Sequence, residues 1–446
     1  MKPYETFVFE SFEFDPKSGL AQFHYSLDEV LHFTEKWEFP VPENFKDSEA
    51  LQEALFGLWI MAGISYYKAY IPNDLLIKNF VLSNSQADFF NTIYLHGLGE
   101  FFYENKIDPR GLIQFPFIQK NTSAENTSLS PPKSSSLTGT MIAVGGGKDS
   151  LTTIELLKAA PSPEIEPLST WTVGHEDLFS GMREIIDLPN IQVERTICPN
   201  LIAENKKGAL NGHVPFSAIF AFASVVSALI QGKKYIALSN EASANEANTE
   251  MYGMEINHQY SKSLEFEQDF QSYVLANIST EVKYFSFLRP LKEIQIAQFF
   301  CSIGFKKYLG NFSSCNRNFR ITGNKEAKFK WCCECPKCAF IGCIFAPYLE
   351  RSEMKSLFGC EIFKQEAILK FIPELLGQSE HKPFECVGEY EEVQYAINEA
   401  VKSGKWEELK PFESPISPIS SFNPSPSLMP NFFLDILNER TKNIDK

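Results

Sequence analysis

A glycine-rich segment of the chain has the residue types of a phosphate-binding loop. It is AVGGGKDS, residues 143–150, and lies between a predicted buried strand and a predicted helix. Consecutive glycines let the backbone turn sharply and bring its N–H groups against phosphate oxygens, and the N-terminus of the following helix also favours an anion. A tight strand-to-helix turn capped by Asp149 is the alternative. The residues predicted to bind ATP are Gly145, Gly146, Gly147, Lys148, Asp149 and Ser150.

The end of this loop carries polar side chains suited to a triphosphate. Lys148 can supply a positive charge to the phosphates, and Asp149 can hold Mg²⁺ or position the phosphates through it. The spacing matches neither GxxxxGK[ST] nor GxGxxG. The segment resembles the SGGxDS loop of the PP-loop ATP pyrophosphatases, with Gly145 in place of the usual serine. The resemblance implies cleavage of ATP between its α and β phosphates, with release of pyrophosphate.

Four cysteines are spaced like the ligands of a metal ion. Cys332, Cys335 and Cys338 form a C-x2-C-x2-C motif, and Cys315 lies upstream in SSCNRNF. Four thiolates from two segments suit a tetrahedral Zn²⁺ site, which is structural rather than catalytic because no coordination position stays open. An iron–sulfur cluster would accept the same ligands, and buried cysteines without a metal are the remaining alternative.

Several further segments are unusually polar for ordinary loops. They are YLHGLGEF (94–101), NGHVP (211–215), SNE (239–241), NHQYSK (257–262), SSCNRNF (313–319) and HKPFECVGE (381–389). Glu241 directly follows a predicted parallel strand, so it should lie at the carboxyl edge of the sheet, where ligands bind. A single histidine in such a segment is more often structural than catalytic, so each segment taken alone is a weak signal.

Taken in order with the glycine loop and the cysteine motif, these segments resemble the MurL family of ATP-dependent UDP-N-acetylmuramoyl-L-alanyl-L-glutamate epimerases. The resemblance runs from AGISYYKA (62–69) to HKPFECVGE, about three quarters of the chain, and is loose in the N-terminal hairpin and the tail. It implies inversion of the terminal L-Glu of UDP-MurNAc-L-Ala-L-Glu to D-Glu during peptidoglycan precursor synthesis. The reaction would consume ATP, require Mg²⁺, and release AMP and pyrophosphate.

The implied reaction gives a physical reason for ATP in an epimerase. A Cα–H beside a carboxylate is a very poor acid, and adenylation of that carboxylate removes the charge that opposes deprotonation. Epimerisation then needs two opposed acid–base groups, or one mobile group, at Cα. The candidate catalytic residues are Asp149, His213, Glu241, His258, His381 and Cys386, and the candidate substrate-binding residues are Asn257, Lys262, Arg317 and Lys382. For Cys386 structural burial is the alternative, and for each basic residue a solvated surface position.

The pattern along the chain predicts an α/β fold in five segments. Residues 1–118 form an N-terminal α+β domain that starts with a hairpin, and the Ser/Thr/Pro-rich residues 119–139 form a flexible linker. Residues 140–310 alternate strands and helices, which is typical of a doubly wound parallel sheet and here of a PP-loop (HUP-like) nucleotide-binding domain. Residues 311–404 form a cysteine-rich, mostly helical region, and residues 405–446 a Pro/Ser-rich tail.

Composition narrows the class of partner. The chain has 41 Lys+Arg and 56 Asp+Glu, a formal charge of −15, which argues against a protein that coats nucleic acid or an anionic membrane. We find no signal peptide, and the longest apolar run, Ala218–Ile230, is too short to span a bilayer. We therefore expect a cytoplasmic enzyme that acts on the UDP-linked muramoyl dipeptide, without nucleic-acid, membrane or obligate protein partners.

Two other functions fit the same loop. One is a PP-loop enzyme that thiolates or amidates tRNA or a nucleobase, against which the acidic charge and the lack of Lys/Arg runs count. The other is a nucleotide-binding regulator without turnover, which would have little need for so many polar segments. Fold analogy alone does not separate them.

Overall fold

One large sheet organises the molecule. The computed structural model of the chain describes residues 3–118, 137–319, 331–379, 382–414 and 426–442. The strands in these residues are β1 (Thr6–Asp15), β2 (Leu20–Leu27), β3 (Leu31–Glu38), β4 (Asp74–Ile77), β5 (Thr138–Ala143), β6 (Leu168–Val173), β7 (Asn190–Thr196), β8 (Lys233–Leu238), β9 (Thr249–Met251), β10 (Met254–Ile256) and β11 (Lys283–Ser286). Nine of them form the large sheet in the order β11-β8-β5-β6-β7-β3-β2-β1-β4, and β9 and β10 form a separate hairpin.

The sheet is mixed, with a parallel half and a mostly antiparallel half. The neighbouring pairs β11–β8, β8–β5, β5–β6 and β6–β7 are all parallel. At β7 the direction changes, because β3 pairs with it antiparallel and the β1–β3 meander continues from there. Short turns between β1, β2 and β3 force antiparallel pairing, whereas the parallel strands are joined through helices. The predicted α/β class is confirmed, but the sheet is not parallel throughout, and the predicted N-terminal domain shares it with the predicted nucleotide-binding domain.

Helices cover both faces of this sheet. They are α1 (Glu49–Tyr67), α2 (Asn84–Gly97), α3 (Gly99–Asn105), α4 (Lys148–Lys158), α5 (Glu176–Ile186), α6 (Pro199–Lys206), α7 (Phe216–Gln231), α8 (Leu264–Asn277), α9 (Glu293–Ile303), α10 (Phe305–Tyr308), α11 (Pro336–Phe345), α12 (Arg351–Phe358), α13 (Glu366–Leu375), α14 (Tyr390–Lys402) and α15 (Asn431–Thr441). Successive strand residues enter different cores: Met141 and Tyr284 pack with one, Ile142 and Phe285 with the other. Since side chains alternate across a strand, the parallel half is buried on both sides.

Helix α1 shows how local sequence sets the start and the packing of an element. Ser48 caps it, because its Oγ accepts a hydrogen bond from the backbone N–H of Leu51 at 3.2 Å. At Gly57 the helix approaches α7 so closely that a Cβ there would lie 2.3 Å from the ring of Phe222. Among the residues that the structure describes, no helix combines the length and apolar character needed to cross a membrane.

The apolar pattern over residues 85–104 predicts one helix, whereas the structure has two. Helix α2 ends at Gly97 and α3 begins at Gly99, so the expected single helix is two. Gly97 makes a close contact, since a Cβ there would lie 2.8 Å from Pro215, whereas a Cβ on Gly99 would be in ordinary contact with Ile256 at 3.5 Å. The second helix has Glu100 in its first turn.

The C-terminal part is helical, and some of the predicted tail is ordered. Helices α11, α13 and α14 pack together beside α9 in the second core. Within the predicted Pro/Ser-rich tail, α15 buries Phe433 against Tyr235 and Phe285 of the sheet, at ring-centroid distances of 5.3 and 4.6 Å. The apolar residues of α15 explain this packing. The Pro/Ser-rich composition of the tail as a whole did not predict it. Residues 119–136 and 415–425 lie outside the described residues.

Candidate active site

The glycine loop joins β5 to α4 at the carboxyl edge of the parallel strands. Gly146 has a φ of +80°, a conformation that favours glycine. Gly147 precedes the first turn of α4, and a Cβ there would lie 2.8 Å from Oγ of Ser314. The backbone N–H of Ser313 donates to the Gly146 carbonyl at 3.0 Å. A Cβ on Gly145 would meet nothing within 4 Å, so this part of the loop faces open space.

The hydroxyl of Ser314 is a buried polar group beside this loop. Among the described residues it has no hydrogen-bond partner, whereas buried polar atoms in proteins nearly always have one. Together with the backbone N–H groups at the start of α4, it makes the loop suitable for an anion. The loop therefore fits the phosphates of a nucleotide on the basis of its own geometry.

Lys148 does not project freely from the loop. Its side chain is buried, and its ammonium forms ion pairs with the carboxylates of Asp149 and Glu293. Burial acts to lower the pKa of Lys148, but the two carboxylates outweigh it and raise the pKa above its ordinary value. Glu293 is itself buried, and burial raises the pKa of this carboxyl to about 7. The cation that the sequence analysis assigned to phosphates thus contacts protein carboxylates.

The four predicted metal ligands meet in one cluster, as expected. The Sγ atoms of Cys315, Cys332, Cys335 and Cys338 all lie within 4.8 Å of one another. The sulfurs of Cys332 and Cys338 are 3.7 Å apart, and a tetrahedral zinc site with its usual bond length spaces sulfurs by about 3.8 Å. The donor set and the spacing fit a metal ion with four thiolate ligands. We call these residues the thiol tetrad.

A second cluster of titratable groups lies where α3 meets two loops. The carboxylate of Glu100 accepts a hydrogen bond from Nδ1 of His258, and its Oε2 lies 3.2 Å from Nδ1 of His213. The two imidazole rings are 4.8 Å apart between centroids. Burial and the nearby charge of His258 lower the pKa of His213 to about 4, so this ring is neutral near pH 7.

Cys386 joins this cluster between two cations. Nζ of Lys262 lies 3.1 Å from its Sγ, and His258 hydrogen-bonds the same sulfur. Burial acts to raise the pKa of Cys386, but Lys262 and His258 outweigh it and lower the pKa to about 5. For His258, burial acts to lower the pKa, while hydrogen bonds to Cys386 and Glu100 raise it to about 10. The pair is therefore a thiolate beside an imidazolium near neutral pH. Glu100, His213, His258, Lys262 and Cys386 are called the proton cluster below.

Buried hydrogen bonds fix the loops that carry these groups. Asn248 accepts from the backbone N–H of His258 at 2.8 Å and donates to the Pro383 carbonyl at 2.9 Å, which ties the histidine segment to the cysteine segment. The buried Arg289 donates to the carbonyls of Glu241 and Lys262 at 2.8 and 2.5 Å. The contacts of Arg289 hold the SNE segment (239–241) and the NHQYSK segment (257–262) together at the carboxyl edge of the sheet.

The thiol tetrad is linked to both functional regions. Lys337 lies in α11, between two of the tetrad cysteines, and donates to the backbone carbonyl of Cys386. Ser313, two residues before Cys315, donates to the glycine loop at Gly146. The region around the tetrad therefore contacts the loop on one side and the proton cluster on the other.

The remaining predicted site residues have other contacts. The Asn257 amide donates to the Ala244 carbonyl, and its Oδ1 accepts from the Gln259 N–H, which is a turn-forming role. Lys382 is buried and pairs with Glu246 at 2.6 Å, and Arg317 is partly exposed and pairs with Glu334 at 2.7 Å. Glu241 is buried, and its charge acts on Lys262. Predicted His381 lies outside the described residues.

Sequence reasoning missed several residues of the site. Glu100 lies in YLHGLGEF, which stood out as a polar segment but supplied no candidate. Glu293 was missed because it lies outside every motif, and Lys337 was missed although it lies within the cysteine motif, between Cys335 and Cys338. A signal existed for Glu100, since an acidic residue between Gly99 and two phenylalanines is out of place on a buried surface.

Comparison with known proteins identifies the family of the chain. A family model described as the MurL N-terminal domain matches residues 1–287, and one described as the MurL C-terminal domain matches residues 311–421. A protein of Xanthomonas oryzae pv. oryzae is 34% identical over 406 residues, covering 90% of this chain and 87% of that protein. One of Salinispora tropica is 32% identical over 462 residues, covering 99% and 97%. Both are named UDP-N-acetyl-alpha-D-muramoyl-L-alanyl-L-glutamate epimerase. The chain therefore belongs to the MurL family and is an enzyme of the epimerase class.

Proposed function

We propose that the chain inverts the terminal L-Glu of UDP-MurNAc-L-Ala-L-Glu to D-Glu in an ATP-dependent reaction of peptidoglycan precursor synthesis. The names of its relatives support the substrate. The observation that carries the chemistry is the Cys386 sulfur held between the His258 ring and the Lys262 ammonium. A thiolate stabilised at neutral pH is a suitable base for a carbon acid.

Adenylation is the first step of the proposal. The α-carboxylate oxygen bonds to the α-phosphorus of ATP, the bond from that phosphorus to the bridging oxygen breaks, and pyrophosphate leaves. The backbone of Gly145–Gly147 and the Ser314 hydroxyl bind the phosphates. Mg²⁺ bound with ATP would neutralise phosphate charge, with Asp149 as its protein ligand. The region as a whole is then a PP-loop nucleotide site.

Proton transfer at Cα is the second step. Once its carboxylate is bonded to AMP as a mixed anhydride, the substrate can lose the Cα proton to the Cys386 thiolate. The resulting enolate carries one negative charge less than the enolate of the free carboxylate would. Lys262 and protonated His258 lie beside the sulfur and stabilise that charge. A second group returns a proton to the opposite face, since return by the same thiolate would restore the L configuration. Water then cleaves the adenylate to the D-epimer and AMP.

The two steps share one electrostatic neighbourhood. The charges of Cys386, Glu241 and Asp149 all act on Lys262. Asp149 belongs to the glycine loop, so the adenylated carboxylate and the base are close enough for both to interact with this ammonium. Lys262 is accordingly the residue that we assign to the α-carboxyl group of the substrate.

The thiol tetrad would hold Zn²⁺, in preference to an iron–sulfur cluster. Four thiolates occupy all positions of a tetrahedral ion, so the metal supplies structure and no catalytic ligand position. Its role follows from the contacts of its surroundings, which reach the glycine loop through Ser313 and the proton cluster through Lys337.

The test is pyrophosphate release from ATP and Mg²⁺ with UDP-MurNAc-L-Ala-L-Glu in D₂O, with the mass of the product recorded. We expect substrate-dependent release and one deuterium at Cα of the D-epimer. Release without deuterium would indicate an adenylating ligase or hydrolase. Release that depends instead on tRNA or a nucleobase would support a thiolating or amidating enzyme, and ATP binding without any release would indicate a regulator.

Cys386→Ala separates the two steps. The variant should keep substrate-dependent pyrophosphate release, because the glycine loop is intact. Deuterium incorporation and inversion should fall by about 10²–10⁴-fold, the usual cost of losing a general base. Cys301→Ala, which removes a thiol outside both clusters, is the matched control and should keep both activities. Full inversion by Cys386→Ala would eliminate Cys386 as the base.

A further inference from the structure

Among the described residues, the carboxylate of Glu100 contacts both histidines of the proton cluster. Its Oε2 accepts from Nδ1 of His258 and lies 3.2 Å from Nδ1 of His213. The side chain is only 17% exposed, and the two imidazole side chains are 14% and 19% exposed. Neither the family match nor the adenylation step assigns Glu100 a role in the reaction.

We propose that Glu100 is the positioning residue for proton transfer: its carboxylate orients the His258 ring against the Cys386 sulfur and keeps that ring as the cation of the pair. The inference rests on the proposed function, because it concerns the base assigned there. Glu100 does not touch the reacting carbon in this account and acts through His258.

The geometry allows only one cation in the histidine pair. The ring centroids are 4.8 Å apart, and two like charges this close repel each other strongly near a protein surface. One carboxylate can therefore stabilise one imidazolium. His258 is the better candidate, because it also contacts the Cys386 sulfur, whereas His213 faces the ammonium groups of Lys262 and Lys68. The pKa of His258, about 10, is higher than the pKa of His213, about 4, in agreement with His258 as the cation.

The other charged groups around Cys386 do not replace this contact. Lys262 contacts the sulfur, and Lys337 contacts the backbone carbonyl of Cys386 rather than the sulfur. Burial and the charge of Cys386 raise the pKa of the neighbouring Glu385, although the charges of His258 and Lys337 oppose this shift. Removing the Glu100 charge leaves His258 with the thiolate as its main anionic partner. The thiolate is then less stable and a larger share of the sulfur is protonated near pH 7.

A metal ion bound by Glu100, His213 and His258 is the competing account of the same atoms. Their potential ligand atoms lie within 4.8 Å of one another, and a His₂Glu set is found in catalytic zinc sites. Two observations count against it. The histidine nitrogens already face the carboxylate, and the Lys262 ammonium beside Cys386 would repel a divalent cation.

Glu100→Gln in the full-length chain tests the proposal, because glutamine keeps the shape and removes the charge. The primary readout is the rate of Cys386 alkylation by iodoacetamide between pH 4 and pH 10, followed by mass spectrometry of the peptide that contains Cys386. We expect the alkylation midpoint to rise by at least one pH unit. Inversion at pH 7 should fall about tenfold or more, chiefly because the His258 ring is no longer held in its orientation against the sulfur. Substrate-dependent pyrophosphate release should stay within about twofold of the unaltered protein.

Two further variants control this experiment. Glu104→Gln, on the exposed side of the same helix, should change neither the midpoint nor inversion. Glu100→Asp keeps the charge and should restore part of the low midpoint, which a merely structural role of the glutamate would not predict. If Glu100→Gln does not fold, the comparison of Glu100→Asp with the unaltered protein supplies the same test through the midpoint.

The outcomes separate the failure of this inference from the failure of the proposed function. An unchanged alkylation midpoint in Glu100→Gln would overturn the role of Glu100, whatever the activity. Absence of substrate-dependent pyrophosphate release in the unaltered protein would overturn the proposed function and leave the midpoint shift interpretable. Elemental analysis that finds one more divalent ion per chain in the unaltered protein than in Glu100→Gln would overturn the inference in favour of the metal site.

Discussion

The thiol tetrad and the proton cluster are both compact groups of titratable side chains, but they are built in opposite ways. Three of the four tetrad residues come from one short segment at the start of α11. The proton cluster takes its members from α3 and from loops far apart in the sequence. The tetrad has four equal ligands, and the proton cluster has a carboxylate, two imidazoles, an ammonium and a thiol.

This difference decides what each cluster can do. Four thiols of one kind that lie within 4.8 Å of one another can all lose their protons to a single metal ion, so the tetrad suits the binding of one ion. In the proton cluster each group has a different partner, so the protonation states are set individually. A set of unlike groups with fixed and different charges is what acid–base chemistry requires.

The largest effect is expected from breaking the tetrad with Cys335→Ser. Removal of one ligand should release the metal and loosen both regions that the surroundings of the tetrad contact, the glycine loop through Ser313 and Cys386 through Lys337. Pyrophosphate release and inversion should therefore be lost together, in contrast to Cys386→Ala. Elemental analysis and the two activity assays on the same preparation provide the measurement.

The control for this variant is Cys343→Ala, which alters a buried cysteine of the same helix outside the tetrad. It should retain one metal ion per chain and both activities, although the deleted sulfur lowers stability. If Cys335→Ser kept pyrophosphate release at its original rate, the tetrad would be independent of the glycine loop, and the contrast between the clusters would be smaller than we propose.

The pH profile tests the proton cluster. Inversion requires the Cys386 thiolate and the His258 imidazolium, with pKa values of about 5 and about 10, and the two groups titrate as a coupled pair. Inversion should therefore be level between about pH 6 and pH 9 and fall about tenfold per unit outside this range. The measurement is the initial rate of deuterium incorporation at saturating ATP, with pyrophosphate release recorded alongside.

The sign of the linked stability follows from the same shifts. The lowered pKa of Cys386 contributes stability that is present above its ordinary value and is lost as the pH falls through about 5. The raised pKa of His258 contributes stability that is present below its ordinary value and is lost as the pH rises through about 10. If the rate of inversion already fell as the pH dropped below about 8, where an ordinary cysteine ionises, the sulfur would not be held as a thiolate.

Local patterns were sufficient for much of the fold and for the tetrad. The strand before the glycine loop and the helix after it lie within a few residues of their predicted places. Their signals are short-range, since hydrophobic periodicity and glycine spacing depend on neighbours in the sequence. The short strands β4 and β11 were missed, because runs of four residues are recognised through their pairing partners.

The proton cluster could be predicted only in part. His213, His258, Lys262 and Cys386 were chosen as separate candidates, and only the fold shows that they meet. Glu100 was missed because its role depends on the break between α2 and α3. Lys148 illustrates the same limit: its motif predicts a contact with phosphate, which stays a prediction, and gives no sign that the buried Glu293 of α9 pairs with it. A partner contributed by a distant element leaves no trace near the motif.

The smallest effect is expected from Arg317→Ala, which tests a predicted substrate-binding residue beside the tetrad. Its guanidinium is 43% exposed and pairs with a Glu334 carboxylate that is 61% exposed, and such surface pairs contribute about 0.2–1 kcal/mol. The KM for the UDP-linked dipeptide should change less than about threefold. Lys262→Met, which removes a cation from the proton cluster, serves as the comparison and should impair inversion far more. An increase of tenfold or more in the KM of Arg317→Ala would contradict this expectation, because an exposed ion pair near the tetrad would then be part of the substrate site.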